Sequence, residues 1–73
     1  MKDHHINVFH SPEDGGYIAE IPDLQGCSAF GSTPHEAIRE VVVAKRVWIE
    51  AALAEGRRIP DPEYRPASRG TTG

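Results

Sequence analysis

The sequence predicts an α+β domain, in which a three-stranded antiparallel sheet is followed by one long helix in the order β-β-β-α. Three observations indicate this fold. Three short apolar segments are separated by residues that favour turns. A longer segment with helical periodicity follows them, between a capping sequence and a glycine. The domain is expected to span residues 1–60.

The first strand and the turn after it favour a hairpin. Residues 4–10 alternate, so that Ile6 and Val8 point to one face of the sheet and Phe9 points to the other. Residues 14–16, Asp-Gly-Gly, tolerate the positive φ that a tight reversal between antiparallel strands requires. The chain is therefore expected to return at once as a second, antiparallel strand.

The second and third strands are predicted at residues 17–21 and 27–31. Ala19 shares one face of the second strand with its apolar neighbours, and Ile18 lies on the opposite face. Pro22 has no amide hydrogen, so it ends this strand. The Pro-Asp-Leu sequence that begins there turns the chain into the third strand.

The helix is predicted to run from residue 34 to about residue 55. Thr33 is a good N-cap, Pro34 suits the first helical position, and Glu36 completes a capping box. Gly56 supplies the left-handed residue that ends a helix. An apolar stripe is expected to cover the sheet and comprises Ala37, Ile38, Val41, Ala44, Trp48, Ile49 and Ala52.

A second apolar flank of the helix predicts self-association. Val43, Val47 and Ala51 follow helical spacing away from the first stripe, whereas one helix on a small sheet needs a single apolar face. A 73-residue chain is also near the lower limit for a self-sufficient core. We therefore expect a dimer or higher oligomer that uses this flank. The alternative is that these are ordinary exposed valines.

Beyond the helix the sequence indicates little regular structure. A short fourth edge strand at residues 57–59 is left open, and the prolines that follow forbid a long one. Residues 61–73 show no amphipathic helix or strand pattern and are expected to form a flexible C-terminal tail.

Charge and composition favour a cytoplasmic protein that binds neither DNA nor membrane. The net charge is −3 with a pI near 5.7, whereas nucleic-acid surfaces carry a basic excess. No segment approaches the ~18 consecutive apolar residues of a membrane span. Cys27 is the only cysteine and no apolar leader precedes the domain, which is typical of the cytosol.

No catalytic, metal or cofactor site is predicted. The four histidines lack the spacing of a zinc site. Cys27 has no neighbouring base in sequence and is interpreted as a small buried apolar residue. A ribonuclease H nuclease would need an acid in its first strand, and residues 5–9 contain none. We therefore expect a protein that is not an enzyme.

Two segments resemble the N-terminal domain of the HicB antitoxin family. They read DGGYIAEIPDLQGCSAFGSTPHEA and VWIEAALAEGRRIPDP, and the likeness extends from about residue 8 to residue 62. The family pattern is matched at Asp14, Gly15, Gly16, Tyr17, Glu20, Pro22, Asp23, Leu24, Gly26, Cys27, Gly31, Thr33, Glu36, Ala37, Gly56, Ile59 and Pro60. Gln25 departs from it, because the family usually has proline there.

The resemblance implies a partial ribonuclease-H-like fold without nuclease acids. Such domains bind and mask HicA, a small mRNA-cleaving toxin, and family members self-associate. Many members add a C-terminal DNA-binding segment, and residues 61–73 show no pattern of that kind. DNA binding by this chain is therefore not expected.

Two functions follow as alternatives. The first is an antitoxin domain that neutralises a HicA-type toxin, in which an acidic protein suits a basic RNA-cleaving partner. The second is a stand-alone homo-oligomeric structural or ligand-binding module without a toxin. For the first, the stiff turn at Pro22 predicts partner contacts at Tyr17, Glu20, Asp23 and Leu24. The alternative places Tyr17 in the core, Asp23 on turn amides and Leu24 under the sheet.

Overall fold

A computed structural model describes residues 4–64 and confirms the predicted α+β class. It contains strands β1 (Asn7–Ser11), β2 (Gly16–Glu20) and β3 (Ser28–Gly31), followed by helix α1 (Pro34–Ala54). The sheet is antiparallel with the order β1-β2-β3, and α1 packs across one face of it, chiefly against β3 and β2. Within residues 4–64, no helix covers the other face of the sheet.

Five of the six predicted strand boundaries shift, all but the end of β3, and the register of the sheet shows where β1 and β2 begin. Pairing of β1 with β2 runs from Asn7↔Glu20 to Ser11↔Gly16, so β1 begins three residues later than predicted and β2 begins one residue earlier. Ile21 leaves this ladder because its amide donates to the carbonyl of Cys27 at 3.0 Å. The hairpin itself and its turn are confirmed.

Both predicted ends of α1 are confirmed. Thr33 is the N-cap, and its hydroxyl accepts the amide of Glu36 at 3.1 Å. The Glu36 carboxylate reaches back to the amide of Ser32 at 2.8 Å, one residue before the N-cap. At the other end Gly56 has a φ of +74°. Its amide and that of Arg57 bond the last carbonyls of the helix, as in a Schellman motif.

The core lies between α1 and the covered face of the sheet. Its fully buried large side chains are Ile21, Leu24 and Val41. Gly31 allows the helix to approach the sheet closely, because a Cβ on Gly31 would lie only 2.7 Å from the backbone carbonyl carbon of Glu36. The sheet and helix therefore pack backbone to backbone at this end of the core.

The apolar stripe predicted on α1 is only partly correct. Ala37, Val41 and Ala52 are buried, and Trp48 is half-buried at the edge of the core. Ile38, however, is exposed, since α1 lies over β2 and β3 and turns this residue past the edge of the packed face. Ile38 is thus the one member of the predicted stripe that faces solvent.

No fourth strand forms among the described residues, so the edge strand left open at residues 57–59 is absent. The segment instead runs past the end of the sheet, where a ring nitrogen of His4 donates to the carbonyl of Pro60 at 2.7 Å. Most of the predicted C-terminal tail, residues 65–73, lies outside the described residues. The partial ribonuclease-H-like likeness stays a prediction.

Candidate functional site

The connection between β2 and β3 is a hydrogen-bonded double turn. The amide of Leu24 donates to the carbonyl of Ile21 at 3.0 Å, and the amide of Cys27 donates to the carbonyl of Leu24 at 2.9 Å. The side chain of Leu24 points inward and is fully buried. Leu24 therefore seals the end of the core, and its side chain has no surface to offer a partner, contrary to the contact expected from sequence.

Asp23 is bonded to a distant segment of its own chain. Its carboxylate accepts the amide of Tyr64 at 3.1 Å and the amide of Glu63 at 3.2 Å. These contacts hold the segment after α1 against the double turn. The carboxylate of Asp23 thus holds two distant segments of the chain together. The amides of its own turn are not its partners.

The helix also braces this turn. The indole nitrogen of Trp48 donates to the carbonyl of Gln25 at 2.9 Å, and the guanidinium carbon of Arg57 lies 5.4 Å from the centroid of the indole ring. A cation above an aromatic face is stabilising at this distance. The helix, the double turn and the segment after α1 therefore contact one another at one end of the domain.

The structure does not bring the four expected contact residues together. Tyr17 lies at the start of β2, on the side covered by the helix, where its ring meets that of His10 edge-on at 5.1 Å. Asp23 lies in the double turn beyond the opposite end of the strand. Glu20 alone projects from the uncovered face of the sheet.

The uncovered face carries an apolar row that crosses all three strands. Phe9 pairs with Ile18, and Ile18 pairs with Phe30, so the three side chains stand side by side. Their neighbours along each strand, Val8, Ala19 and Ala29, point to the helix instead. Phe9 is 47% and Phe30 is 43% exposed. We call Phe9, Ile18 and Phe30 the apolar row.

The ring of Phe30 packs against Gly16 at the start of β2. A Cβ on Gly16 would lie 2.6 Å from the tip of the Phe30 ring, so the ring rests directly on the Gly16 backbone. This contact buries Gly16 and spreads the aromatic surface toward the hairpin end of the sheet. Within the apolar row, Phe30 therefore packs on the backbone of the neighbouring strand.

Polar groups border the apolar row toward the double turn. Glu20 pairs with Asn7 and with Ser28 in the next cross-strand row. The side-chain Nδ2 of Asn7 donates to the Glu20 carboxylate over a long 3.5 Å, and the side-chain Oδ1 of Asn7 accepts from the Nε2 of His5 at 2.7 Å. An open depression of about 300 Å³, lined by Glu20, Pro22 and Ser28 among others, adjoins this rim.

Within the described chain, lysine and arginine are confined to one of the two layers of the domain. From His4 to Ile38 the sequence has no lysine or arginine, yet it has five carboxylates, which are those of Glu13, Asp14, Glu20, Asp23 and Glu36. The basic residues of the described chain belong to α1 and the segment after it, and are Arg39, Lys45, Arg46, Arg57 and Arg58. Since Glu36 belongs to α1, the strands and their connections carry four carboxylates and no lysine or arginine, around an apolar centre.

The apolar row was not predicted as a site from the sequence, although part of its signal was present. Alternation in β1 and β2 places Phe9 and Ile18 on the face opposite the core residues. What the alternation cannot supply is the pairing register, which aligns these two residues with Phe30. A single helix can cover only one face, so the other was available for a partner.

The predicted second flank of α1 is exposed. Val43 is 53% and Val47 is 60% exposed, and Ala51 is exposed beside them. A further aliphatic flank, missed at the sequence level, contains Ile38, Val42 and Leu53. The helix thus presents apolar surface on both sides of its buried stripe.

Cys27 is a buried free thiol. Burial raises the pKa of this thiol above its ordinary value, and the nearby charge of Lys45 opposes the shift. A buried thiol with a raised pKa is a poor nucleophile, which agrees with its interpretation as a small apolar residue. Within residues 4–64 no three histidine, cysteine or carboxylate groups cluster as metal ligands would.

No helix within the described part of the chain combines the length and the apolar content needed to cross a membrane.

Comparison with known proteins identifies relatives across most of the chain. UPF0150 protein ssl0259 of Synechocystis is 38% identical over 56 residues, which cover 77% of each chain. UPF0150 protein Ta0767 of Thermoplasma acidophilum is 38% identical over 73% of this chain and 77% of its own. UPF0150 protein ssr1765 of Synechocystis is 43% identical over 64% of this chain and 60% of its own.

No solved structure matches the chain significantly. The profile of the family described as "HicB_like antitoxin of bacterial toxin-antitoxin system" matches residues 5–67, which include all three strands, the double turn and the helix. By this match, the chain belongs to the HicB-like antitoxin family.

Proposed function

We propose that this chain is a cytoplasmic, non-catalytic antitoxin domain that binds and neutralises a HicA-type mRNA-cleaving toxin. Membership of the HicB-like antitoxin family supports the antitoxin role. The observation that carries the choice of partner is the charge of the sheet layer, whose strands and connections hold four carboxylates and no lysine or arginine. An acidic surface favours association with a protein that must be basic to hold RNA.

Neutralisation by this domain requires only that the toxin surface be covered. The described residues supply a preformed sheet face, and Glu20 is the one expected contact residue that lies on it. A surface that is already ordered loses little conformational entropy on binding. The domain would therefore act by stoichiometric masking of the toxin active site.

Growth rescue tests this function. A HicA-type toxin from the same genome is expressed under an inducible promoter, alone or with this chain. We expect the chain to restore growth, to co-purify with the toxin, and to stop mRNA cleavage by the purified toxin at equimolar concentration. The purified chain alone should leave the mRNA intact. Persistent growth arrest with a folded, abundant chain would contradict the proposal.

We also propose self-association through the helix flank formed by Val43, Val47 and Ala51. The supporting observation is the exposure of the two valines, which are 53% and 60% exposed on a helix whose opposite side already fills the core. Self-association alone is the property of a stand-alone structural module, so this second candidate function survives if no toxin binds.

A further inference from the structure

The apolar row exposes two aromatic rings on the sheet face that the helix leaves uncovered. Phe9, Ile18 and Phe30 form one continuous strip across the middle of the uncovered sheet face. Contiguous exposed apolar surface with a polar border is typical of a protein-binding site. We propose that the apolar row is the centre of the toxin-binding surface, a statement that rests on the proposed function.

The charges around the apolar row determine what can occupy it. Glu20 stands in the adjacent cross-strand row, and Glu13 and Asp14 lie in the turn at the opposite end of the hairpin. No lysine or arginine belongs to the strands or to their connections. The occupant is therefore a basic protein surface that presents an apolar group flanked by lysine or arginine.

The same charges argue against a second copy of this sheet as the occupant. Two such faces packed together would bring acidic borders close to each other with no lysine or arginine to compensate them. Like charges brought together at an interface are strongly unfavourable. The helix flank at Val43 and Val47 lies away from this acidic border. It remains the proposed surface for self-association.

The depression beside Glu20 defines a second element of the interface. It has a volume of about 300 Å³ and is open to solvent, with Glu20 as the charged group in its lining. Among residues 4–64, the one side chain that Glu20 bonds is Asn7, at 3.5 Å, which leaves most of its acceptor capacity unused there. We assign this depression to a lysine or arginine of the toxin, next to the apolar contact.

The test compares variants of the apolar row with matched variants on the helix. Phe9→Ser/Phe30→Ser removes the two exposed rings, and Leu53→Ser is the control, because Leu53 is 61% exposed on α1. Binding of the purified HicA-type toxin is measured by calorimetry. We expect the dissociation constant to rise at least about 30-fold for the double variant, as for truncation of binding hot spots. The control should bind like wild type.

The depression is tested by charge removal. Glu20→Gln keeps the shape of the side chain, and Glu50→Gln on the exposed helix surface is the control. Glu20→Gln should weaken toxin binding roughly two- to fivefold and reduce its salt dependence, since an exposed ion pair is lost. Equal effects of the two substitutions would remove the depression from the interface.

The binding, sedimentation and NMR results separate this proposal from the proposed function. If wild type binds no toxin, the function fails. If wild type binds and the double variant binds equally well, the apolar row is not the site while the function stands. If the chain alone is oligomeric and the double variant is monomeric, the row serves a second copy and the proposal is overturned. Toxin-induced NMR shifts at Phe9, Ile18 and Phe30 of wild type are expected, and shifts confined to α1 would overturn it without any substitution.

Discussion

The carboxylate of Asp23 accepts the backbone amide of Tyr64 at 3.1 Å across 41 positions of the sequence. The contact joins the double turn after β2 to the segment that follows the helix, and the amide of Glu63 adds to it at 3.2 Å. The ring of Tyr64 also meets the ring of His5 at 5.0 Å. Three parts of the chain that are far apart in sequence therefore converge at one end of the sheet.

Removal of the Asp23 carboxylate should release the segment around Tyr64. We expect Asp23→Ala to lower the free energy of unfolding by about 1–2 kcal/mol, because two amides lose a charged acceptor at an exposed site. Asp23→Asn keeps one acceptor oxygen, so its free energy of unfolding should lie between those of wild type and Asp23→Ala. Hydrogen exchange at the amides of Glu63 and Tyr64 measures the release directly. Asp61→Ala, at an exposed neighbouring carboxylate, is the control and should leave exchange unchanged.

Truncation of Leu24 should be far more damaging than the same change on the helix surface. Leu24→Ala leaves a cavity at the end of the core, where the side chain is fully buried, and should cost about 2–5 kcal/mol. Leu53→Ala removes the same atoms from a side chain that is 61% exposed and should change stability by less than about 0.5 kcal/mol. Chemical denaturation of both variants checks the pair. Equal costs would mean that the double turn does not seal the core.

Self-association should depend on the flank that contains Val43 and Val47. Val43→Glu/Val47→Glu places two charges in the middle of the proposed interface and should convert the oligomer to monomer in sedimentation experiments. Val42→Glu, on the other aliphatic flank, is the matched control, because Val42 is also exposed on α1. An unchanged sedimentation coefficient for the double variant would assign the contact to another surface.

The thiol of Cys27 should be unreactive until the domain unfolds. Burial raises the pKa of Cys27, with the charge of Lys45 acting against it, so the folded state disfavours the thiolate. Alkylation by iodoacetamide at pH 8 should be slow in buffer and fast in denaturant. Rapid alkylation of the folded chain would contradict the burial.

The raised pKa of the Cys27 thiol makes the stability of the domain fall at high pH. Because the folded pKa lies above the ordinary value of 9.0, the contribution of Cys27 is fully present below pH 9.0 and is lost as the pH rises through the folded pKa. Denaturation at pH 8 and pH 10 should therefore show a larger loss of stability for wild type than for Cys27→Ala. Identical losses would mean that the thiol does not contribute.

The sequence by itself determined the turns, the strand break and the helix ends. The hairpin turn, the strand break at Pro22, the cap at Thr33 and the helix end at Gly56 each depend on residues within a few positions, and all four are confirmed. The family likeness belongs to the same level, since its motif is made of these turn and cap residues. Short-range steric and hydrogen-bonding rules act in the same way wherever the segment lies.

Only the tertiary structure decided which surfaces are buried and which residues meet. Leu24 turned inward and Ile38 outward, and neither direction follows from spacing alone. Strand pairing aligned Phe9 with Ile18 and Phe30, and the return of the chain to Asp23 brought Tyr64 to it. These relationships join segments far apart in sequence, so their energy comes from shared burial and long-range pairing, which no local pattern encodes.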